Sequence, residues 1–456
     1  MIKKNWLLLA LTVVLFLGTL FIYYPGFMSE DSFGQLNQAR TGIYTDSNPP
    51  MMAFIWGFVD KAIPGQTGML ALQLALYWAG LYWITWAADM SLFSGTFFLG
   101  LIGLYPGTLG ILGTIWKDIL MLGMMILVAA SCFQAKKSIK KWPWYLLASF
   151  FMFLACSIRH NGIFALPPFF IWMFAGLLPK TISPVRRVSL AVVLAIAASG
   201  LCVEGNHLFN RSLKTQEVQL WRLLPLLDLT GIYYRLGYIP EGTQVPFQTP
   251  RLTYEAIRSL RTPQDMGDLL QPLCTPGQAC EHPPIINLSA YSGEEEQEQL
   301  KKLRSLWISE IIKHPIPYLQ TRLAIFEETL GMREDTWGPW YFVIIDNNLG
   351  IRYQPNSLQK YMSHKIQDAT ITIFFRLWLI MILNLLAFLW CFHRWQRGHR
   401  QNLLALTLGA SALTYELPYF FLAGGCAYRY SLWFLVATLI FLFLIVRDNL
   451  PSFLRF

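Results

Sequence analysis

Ten apolar segments, near residues 5–24, 69–88, 92–106, 114–135, 142–159, 162–179, 188–205, 370–392, 402–423 and 431–447, constrain this chain more than any other feature. Each is about as long as a bilayer core is thick. Backbone amides inside a bilayer must find partners within their own segment, so each segment is expected to be a helix. The chain is therefore read as an all-α polytopic membrane protein. Composition agrees: 54% of its residues are hydrophobic and only 14% charged, where soluble domains carry roughly 25% charged residues.

The basic residues orient the segments. With Lys3 and Lys4 in the cytoplasm and the segments alternating, the Lys136–Lys141 run, Lys180 with Arg186 and Arg187, the His393–Arg400 run and Arg447 all fall on one side, as the positive-inside rule requires. The formal charge of +9 is thereby explained without nucleic acid, since no basic patch interleaved with stacking aromatics stands on a soluble segment. The N-terminus has the basic start of a signal peptide. Its apolar run from Trp6 to Tyr24 is nearer a full span than a signal core of about 7–15 residues, and no small-x-small cleavage site follows. An uncleaved anchor is expected.

This topology places 25–68, 106–118, 159–161, 206–369 and 424–430 outside, with Pro106-Gly107 forming an outer turn. Three regions result: a membrane module over 1–205 with about seven spans, an extracytoplasmic domain over 206–369, and a second membrane module over 370–456 with about three spans. The stretch 238–290 is rich in Pro, Gly and Thr and reads as extended loops; a helical pattern begins at Ser292. Five cysteines lie in or beside apolar segments, where a thiol behaves as a small hydrophobe. Cys274 and Cys280 bracket a polar loop and could close a disulfide in an oxidising compartment. Asn210 and Asn287 begin glycosylation sequons, which also occur by chance.

Unusual polar chemistry crowds the outer side. The first outer loop holds Glu30, Asp31 and Asp46. Ser29 is placed to cap a short helix over 30–40 that Gly42 would end. Asp31, Gln35 and Gln38 share a face of that helix. There Asp31 could act as a general base on an attacking hydroxyl, although an acid at a helix start also serves the dipole. Asp46 is a second candidate, and two acids could hold a divalent cation such as magnesium or manganese, with too few ligands to assign one. Pro49-Pro50 starts a further helix whose stripe of Met51, Phe54, Ile55 and Phe58 suits one lying in the membrane interface.

Three further constellations follow. In Trp116-Lys117-Asp118, Lys117 would attract phosphate and Asp118 would position an acceptor or a cation. Arg159, His160 and Asn161 make an entire turn between two spans, and Arg159 suits a bidentate phosphate contact. Both sets could instead snorkel to headgroups. Glu416 lies in an apolar span, where a carboxylate is costly and usually paired or functional. Arg429, flanked by Tyr428 and Tyr430, could pair with it or bind phosphate. No phosphate-cradling glycine loop, HExxH or Gly-x-Ser-x-Gly occurs.

PGFMSEDSFGQ, then SNPPM, IWKD, IRHNG and AYRYS, in this order, resemble landmarks of the GT-C superfamily of polytopic glycosyltransferases. The resemblance covers most of the membrane part and leaves 206–369 unmatched; related chains often carry His where this one has Asn48. It implies a GT-C-like transmembrane bundle, with interfacial helices in the first outer loop and a large, mainly helical and loop extracytoplasmic insert. It further implies a polyprenyl-phosphate-linked sugar donor, a glycan or lipid acceptor, and a site on the periplasmic face of a bacterial inner membrane. Asp31 maps onto the loop aspartate that serves catalysis or metal binding, and Lys117, Arg159 and Arg429 onto the basic residues that hold the donor phosphate. The leaving phosphate is already a weak base, so one general base suffices and glycosyl inversion is expected. Rival readings are a glycan polymerase or ligase, a lipid-linked sugar transporter or flippase, and an acyltransferase using His160. Transporters commonly show internal repeats and midplane polar groups; here no repeat is seen.

Overall fold

The computed structural model describes residues 2–248, 252–259, 293–332, 339–347, 349–397 and 403–449. Cys274, Cys280, Asn287 and much of the expected 238–290 loop region lie outside the described residues. In chain order the helices are α1 (Ile2–Tyr23), α2 (Glu30–Thr41), α3 (Met51–Ala62), α4 (Gln66–Ala87), α5 (Leu92–Gly103), α6 (Pro106–Leu112), α7 (Lys117–Lys137), α8 (Trp142–Ile158), α9 (Pro167–Leu177), α10 (Pro184–Ser212), α11 (Leu223–Leu236), α12 (Tyr254–Arg258), α13 (Gly293–Lys313), α14 (Pro315–Thr329), α15 (Ser357–Ala369), α16 (Leu377–Gln396), α17 (Leu403–Glu416), α18 (Tyr419–Leu422) and α19 (Leu432–Asn449). Among the described residues there is no strand, only isolated bridges.

All ten apolar segments are helical. Among the described residues six helices are long and apolar enough to cross a membrane: Lys3–Tyr23, Lys117–Lys137, His160–Leu177, Pro184–Ser212, Leu377–Gln396 and Tyr428–Asn449. This is the architecture of a helical membrane protein. α5 and α6 add a seventh if their 59° bend is one broken span. Pro106 therefore begins a short helix rather than a simple turn, because its ring cannot continue α5. α4 is long enough, but Gln73 and its Tyr and Trp residues lower its hydropathy; α17 stops at Glu416, just before Pro418.

The chain divides into two compact units. The first comprises Met1–Val218, Gly338–Leu417 and Arg429–Phe456. Its centre is α7, whose apolar window is 94% buried, against 17% for α10; a helix apolar all round belongs in a core or in lipid. α4 approaches α7 closely at Gly80, where an added Cβ would lie 2.7 Å from Ile126. The 206–369 expectation is thus divided, since 206–218 and 339–369 join the first unit. Single backbone bonds place the latter there: Met28 N donates to Val343 O (3.1 Å) and Tyr341 N to Gly110 O (2.8 Å). Gln359 on α15 donates to the carbonyls of Ile22 and Tyr24, which the end of α1 leaves without helical partners.

The second unit comprises Gln219–Trp337 and Pro418–Tyr428. α11, α13 and α14 pack through Leu227, Ile232, Leu303 and Ile325, all fully buried. At its heart Asp228 pairs with Arg322 at 2.6 Å, both side chains wholly buried. Trp307 Nε1 donates to the same carboxylate (2.8 Å), and Arg322 donates to the Ala423 carbonyl (2.6 Å).

Candidate functional site

The connection between α1 and α4, which carries α2 and α3, is shaped by its caps. Ser32 Oγ accepts from the Ser29 backbone N–H at 3.1 Å, on the pattern of a capping box. Gly42 closes α2 at φ 70°, a left-handed conformation glycine adopts without strain. Two parallel bonds, Phe27 N to Gly113 O and Ile115 N to Phe27 O, fasten the loop to the turn before α7. Ser32 Oγ donates to Ile115 O, and Trp116 Nε1 to Ser29 Oγ at 2.7 Å. At the far end Arg40 forks onto Asp60 through two bonds of 2.9 and 3.0 Å, tying α2 to α3. On α3 the buried side carries Met52, Ala53 and Trp56, while Phe58 is exposed. Of the stripe expected on a helix in the membrane interface, Met51 is buried, Phe54 and Ile55 are half-buried and Phe58 is exposed.

This scaffold gathers residues from four distant places. Arg429 Nη2 donates to Asp31 Oδ2 at 2.7 Å. Its guanidinium lies 4.4 Å from the centre of the Trp116 ring and 5.5 Å from that of Tyr430, the geometry of cation–π contact. On the other side of Asp31, Asn48 Nδ2 reaches Oδ1 at 3.4 Å and Asn48 Oδ1 accepts from Lys117. Behind them Arg159 and Asp118 form a buried ion pair, with Arg159 4.7 Å from the Tyr430 ring centre. Tyr430 thus lies beside both arginines. Ser431 Oγ donates to Glu416 Oε1 at 2.6 Å, and the Arg159 charge also acts on Glu416.

Several expectations are corrected by this geometry. Arg429 pairs with Asp31, not with Glu416, which has Ser431 instead. Asp118, expected to position an acceptor or a cation, is 1% exposed and paired with Arg159. Arg159 is itself 6% exposed and occupied by that pair, which leaves Arg429 and Lys117 as the accessible cations. Asp46 stands apart from Asp31: its Oδ1 accepts from Val218 N at 2.6 Å. Gln38 holds the loop through Thr45. Gln35 is 2% exposed, with no hydrogen-bond partner for its amide among the described residues. Tyr428 is buried and belongs to the second unit. Asn161 is half-buried and His160 exposed in the short turn before α9.

Burial pushes the Asp31 carboxyl up, but the charges of Arg429 and Lys117, with hydrogen bonds from Arg429 and Asn48, outweigh it and hold it at about 2. In this state it is a firmly ionised carboxylate and a weak base. Among the described residues no cluster of three metal-ligating side chains occurs, so the acids do not by themselves build a cation site.

Beside this cluster lies a groove of about 660 Å³, a volume typical of ligand sites, which span about 300–1,000 Å³. Asp46 and His160 line it, facing Asn206, His207 and Asn210 of α10. The α10 residues escaped the sequence reading. Their signal is a polar stripe at i, i+1 and i+4 at the end of an otherwise apolar helix, of which the sequence alone singles out only Asn210, as a sequon. No family model, curated protein or solved structure matches the chain.

Proposed function

We propose that the chain is an inverting membrane glycosyltransferase of the GT-C type, moving a sugar from a polyprenyl-phosphate-linked donor to a glycan or lipid acceptor on the periplasmic side of a bacterial inner membrane. The observation that carries this reading is the Asp31–Arg429 pair. It is the accessible ion pair of the cluster, with side chains 32% and 18% exposed. It joins the first outer loop to the last outer turn, and Lys117 stands close through Asn48.

Two cations and one carboxylate at a membrane surface match what the transfer demands. The donor phosphate takes the place of Asp31 on Arg429, and Lys117 supplies a second positive charge to the leaving group. Loss of Arg429 removes the largest influence holding the Asp31 carboxyl down, so its burial then raises it toward a useful base. Asp31 accepts the proton of the acceptor hydroxyl as that oxygen bonds to the anomeric carbon. The anomeric carbon–phosphate oxygen bond breaks on the opposite face, and its electrons leave with the polyprenyl phosphate. Base strength thus appears only after the donor binds. Arg159 is held by Asp118 and keeps Tyr430 beside Arg429.

The test uses purified protein in nanodiscs with a polyprenyl-phosphate sugar and an acceptor, reading polyprenyl phosphate release and sugar transfer. Asp31→Asn is expected to lower transfer by about 10²–10⁴-fold, the usual contribution of a general base. Full transfer by that variant removes Asp31 from catalysis. Movement of a labelled lipid-linked sugar across liposomes with no transfer product replaces the enzyme reading by a transporter.

A further inference from the structure

The groove beside the cluster is chemically unlike the cluster. Its charged lining is balanced, with Asp46 and Glu217 against Arg211 and Lys214. Asn206, Asn210, Thr215 and the imidazoles of His160 and His207 add neutral hydrogen-bonding groups, and Cys156, Ile163 and Val203 supply an apolar strip. Asn206 is 8% exposed, yet its Oδ1 has no hydrogen-bond partner among the described residues, and neither do Asn210 Oδ1 and Thr215 Oγ1. A buried acceptor left unsatisfied is costly. Their residues line the groove, so a ligand seated there can supply the missing donors once these side chains turn toward it.

The kind of ligand follows from what those atoms need. Amide oxygens require a donor, and an ionised phosphate offers none. Two carboxylates in the lining also repel an anion, just as Arg211 and Lys214 repel a cation. A neutral molecule bearing many hydroxyls meets every requirement, because each hydroxyl donates to an amide oxygen and accepts from an arginine, lysine or imidazole. The lining contains no aromatic ring apart from the two imidazoles, so recognition rests on hydrogen bonds rather than on stacking.

Position gives this groove a role. Two short segments separate it from the cluster, and each shows one residue to either side. In the first outer loop Asp46 lines the groove while Asn48 holds Asp31; in the turn after α8 His160 lines the groove while Arg159 stands in the cluster. The geometry points to the groove as the acceptor subsite, and to a neutral carbohydrate as the acceptor class, bound by Asn206, His207 and Asn210. The subsite role rests on the glycosyltransferase reading; the carbohydrate site itself does not.

Saturation-transfer NMR tests this with the full-length protein in phospholipid nanodiscs, which avoid sugar-based detergents. The probes are maltotriose, N,N′-diacetylchitobiose and mannobiose, without any donor. Transfer to at least one sugar is expected, falling at least five-fold in His207→Ala with Asn210→Leu, two changes outside the buried core. Asn206→Leu should act likewise, and Arg429→Gln should leave sugar binding unchanged. No transfer to any of the three sugars, an undiminished signal in the double variant, or displacement of the sugar by equimolar inorganic phosphate overturns the proposal. Donor cleavage measured separately, with water as acceptor, reports on the glycosyltransferase reading: sugar binding without donor cleavage would keep the carbohydrate site and discard the subsite role.

Discussion

Each unit of the molecule contains an aspartate–arginine pair at nearly the same separation, 2.7 Å for Asp31–Arg429 and 2.6 Å for Asp228–Arg322. The partners are chemically alike and the surroundings are not. Asp228 and Arg322 are wholly buried, and Trp307 and the Ala423 carbonyl take up further bonding capacity. Burial keeps the Asp228 carboxyl above its ordinary range even with Arg322 and Trp307 beside it. Asp31, half-buried beside Arg429 and Lys117, is held far below it. A sealed pair fixes the packing of helices, and removing one partner strands the other charge. An open pair can exchange one partner for a ligand at little structural cost. The same two residue types therefore serve as a fastening in one unit and as a replaceable contact in the other.

The largest test of this contrast is to break the sealed pair. Arg322→Met leaves Asp228 buried without its cation and is expected to cost about 3–5 kcal/mol of stability. Arg429→Gln, at the half-exposed pair, is expected to cost no more than about 1 kcal/mol while abolishing donor turnover. Denaturant unfolding of both variants in one detergent measures the difference. Equal losses would mean that exposure does not separate the two pairs. Replacing both Asp228 and Arg322 by apolar residues should recover much of the single-variant loss, because no lone charge remains.

Part of this arrangement was legible in the sequence. Lys117, Arg159 and Arg429 each stand at one end of an apolar segment, and alternating topology collects those ends on one side of the membrane. Their gathering near Asp31 follows from that rule. The pairing within the group does not. Glu416 looked like the partner of Arg429 because it is near in the chain, whereas Asp31 lies 398 residues away, and no spacing encodes such a contact. Asp118 and Arg159 read as separate site contacts or snorkelling charges, not as each other's partners, because hydropathy cannot distinguish a headgroup-facing helix end from one packed behind a loop. The segment 339–347 has neither helical nor alternating periodicity, and a few backbone bonds decide its place. Asn206, His207 and Asn210 did carry a signal, but a polar stripe becomes informative only once the helix face it occupies is seen to line a groove.

A smaller test sharpens the open pair. Asn48 links Lys117 to Asp31, and hydrogen bonds to charged groups contribute about 1.5–3 kcal/mol. Asn48→Leu is expected to raise KM for the donor about ten-fold, as Lys117 loses its fixed position. Its unfolding midpoint should stay near that of the parent, because Asn48 is half-buried at the loop surface. A loss of stability with unchanged KM would instead make Asn48 a structural linker, and Lys117 would lose its place in donor binding.

The smallest effect is a response to acid, and its sign differs between the two pairs. Asp31 has a folded-state pKa of about 2 against an ordinary value of 3.8, so the folded state binds its proton less readily than the unfolded one. Its contribution is fully present above about pH 3.8 and is lost as pH falls through about 2. Because Asp31 is about one-third exposed, solvent screening keeps that contribution below about 1 kcal/mol. Asp228 is shifted the other way: its folded state binds a proton more readily than the unfolded one, so acidification relieves the burial of its charge rather than breaking a favourable contact. Comparing the melting temperatures of the parent and Asp31→Asn from pH 5 down to 2 isolates the open pair, since Asp228 is common to both proteins. The gap between the two curves should close as the pH drops. A gap that stays constant over that window would show that Arg429 does not hold the Asp31 carboxylate, and the exchange of Asp31 for a donor phosphate would lose its physical basis.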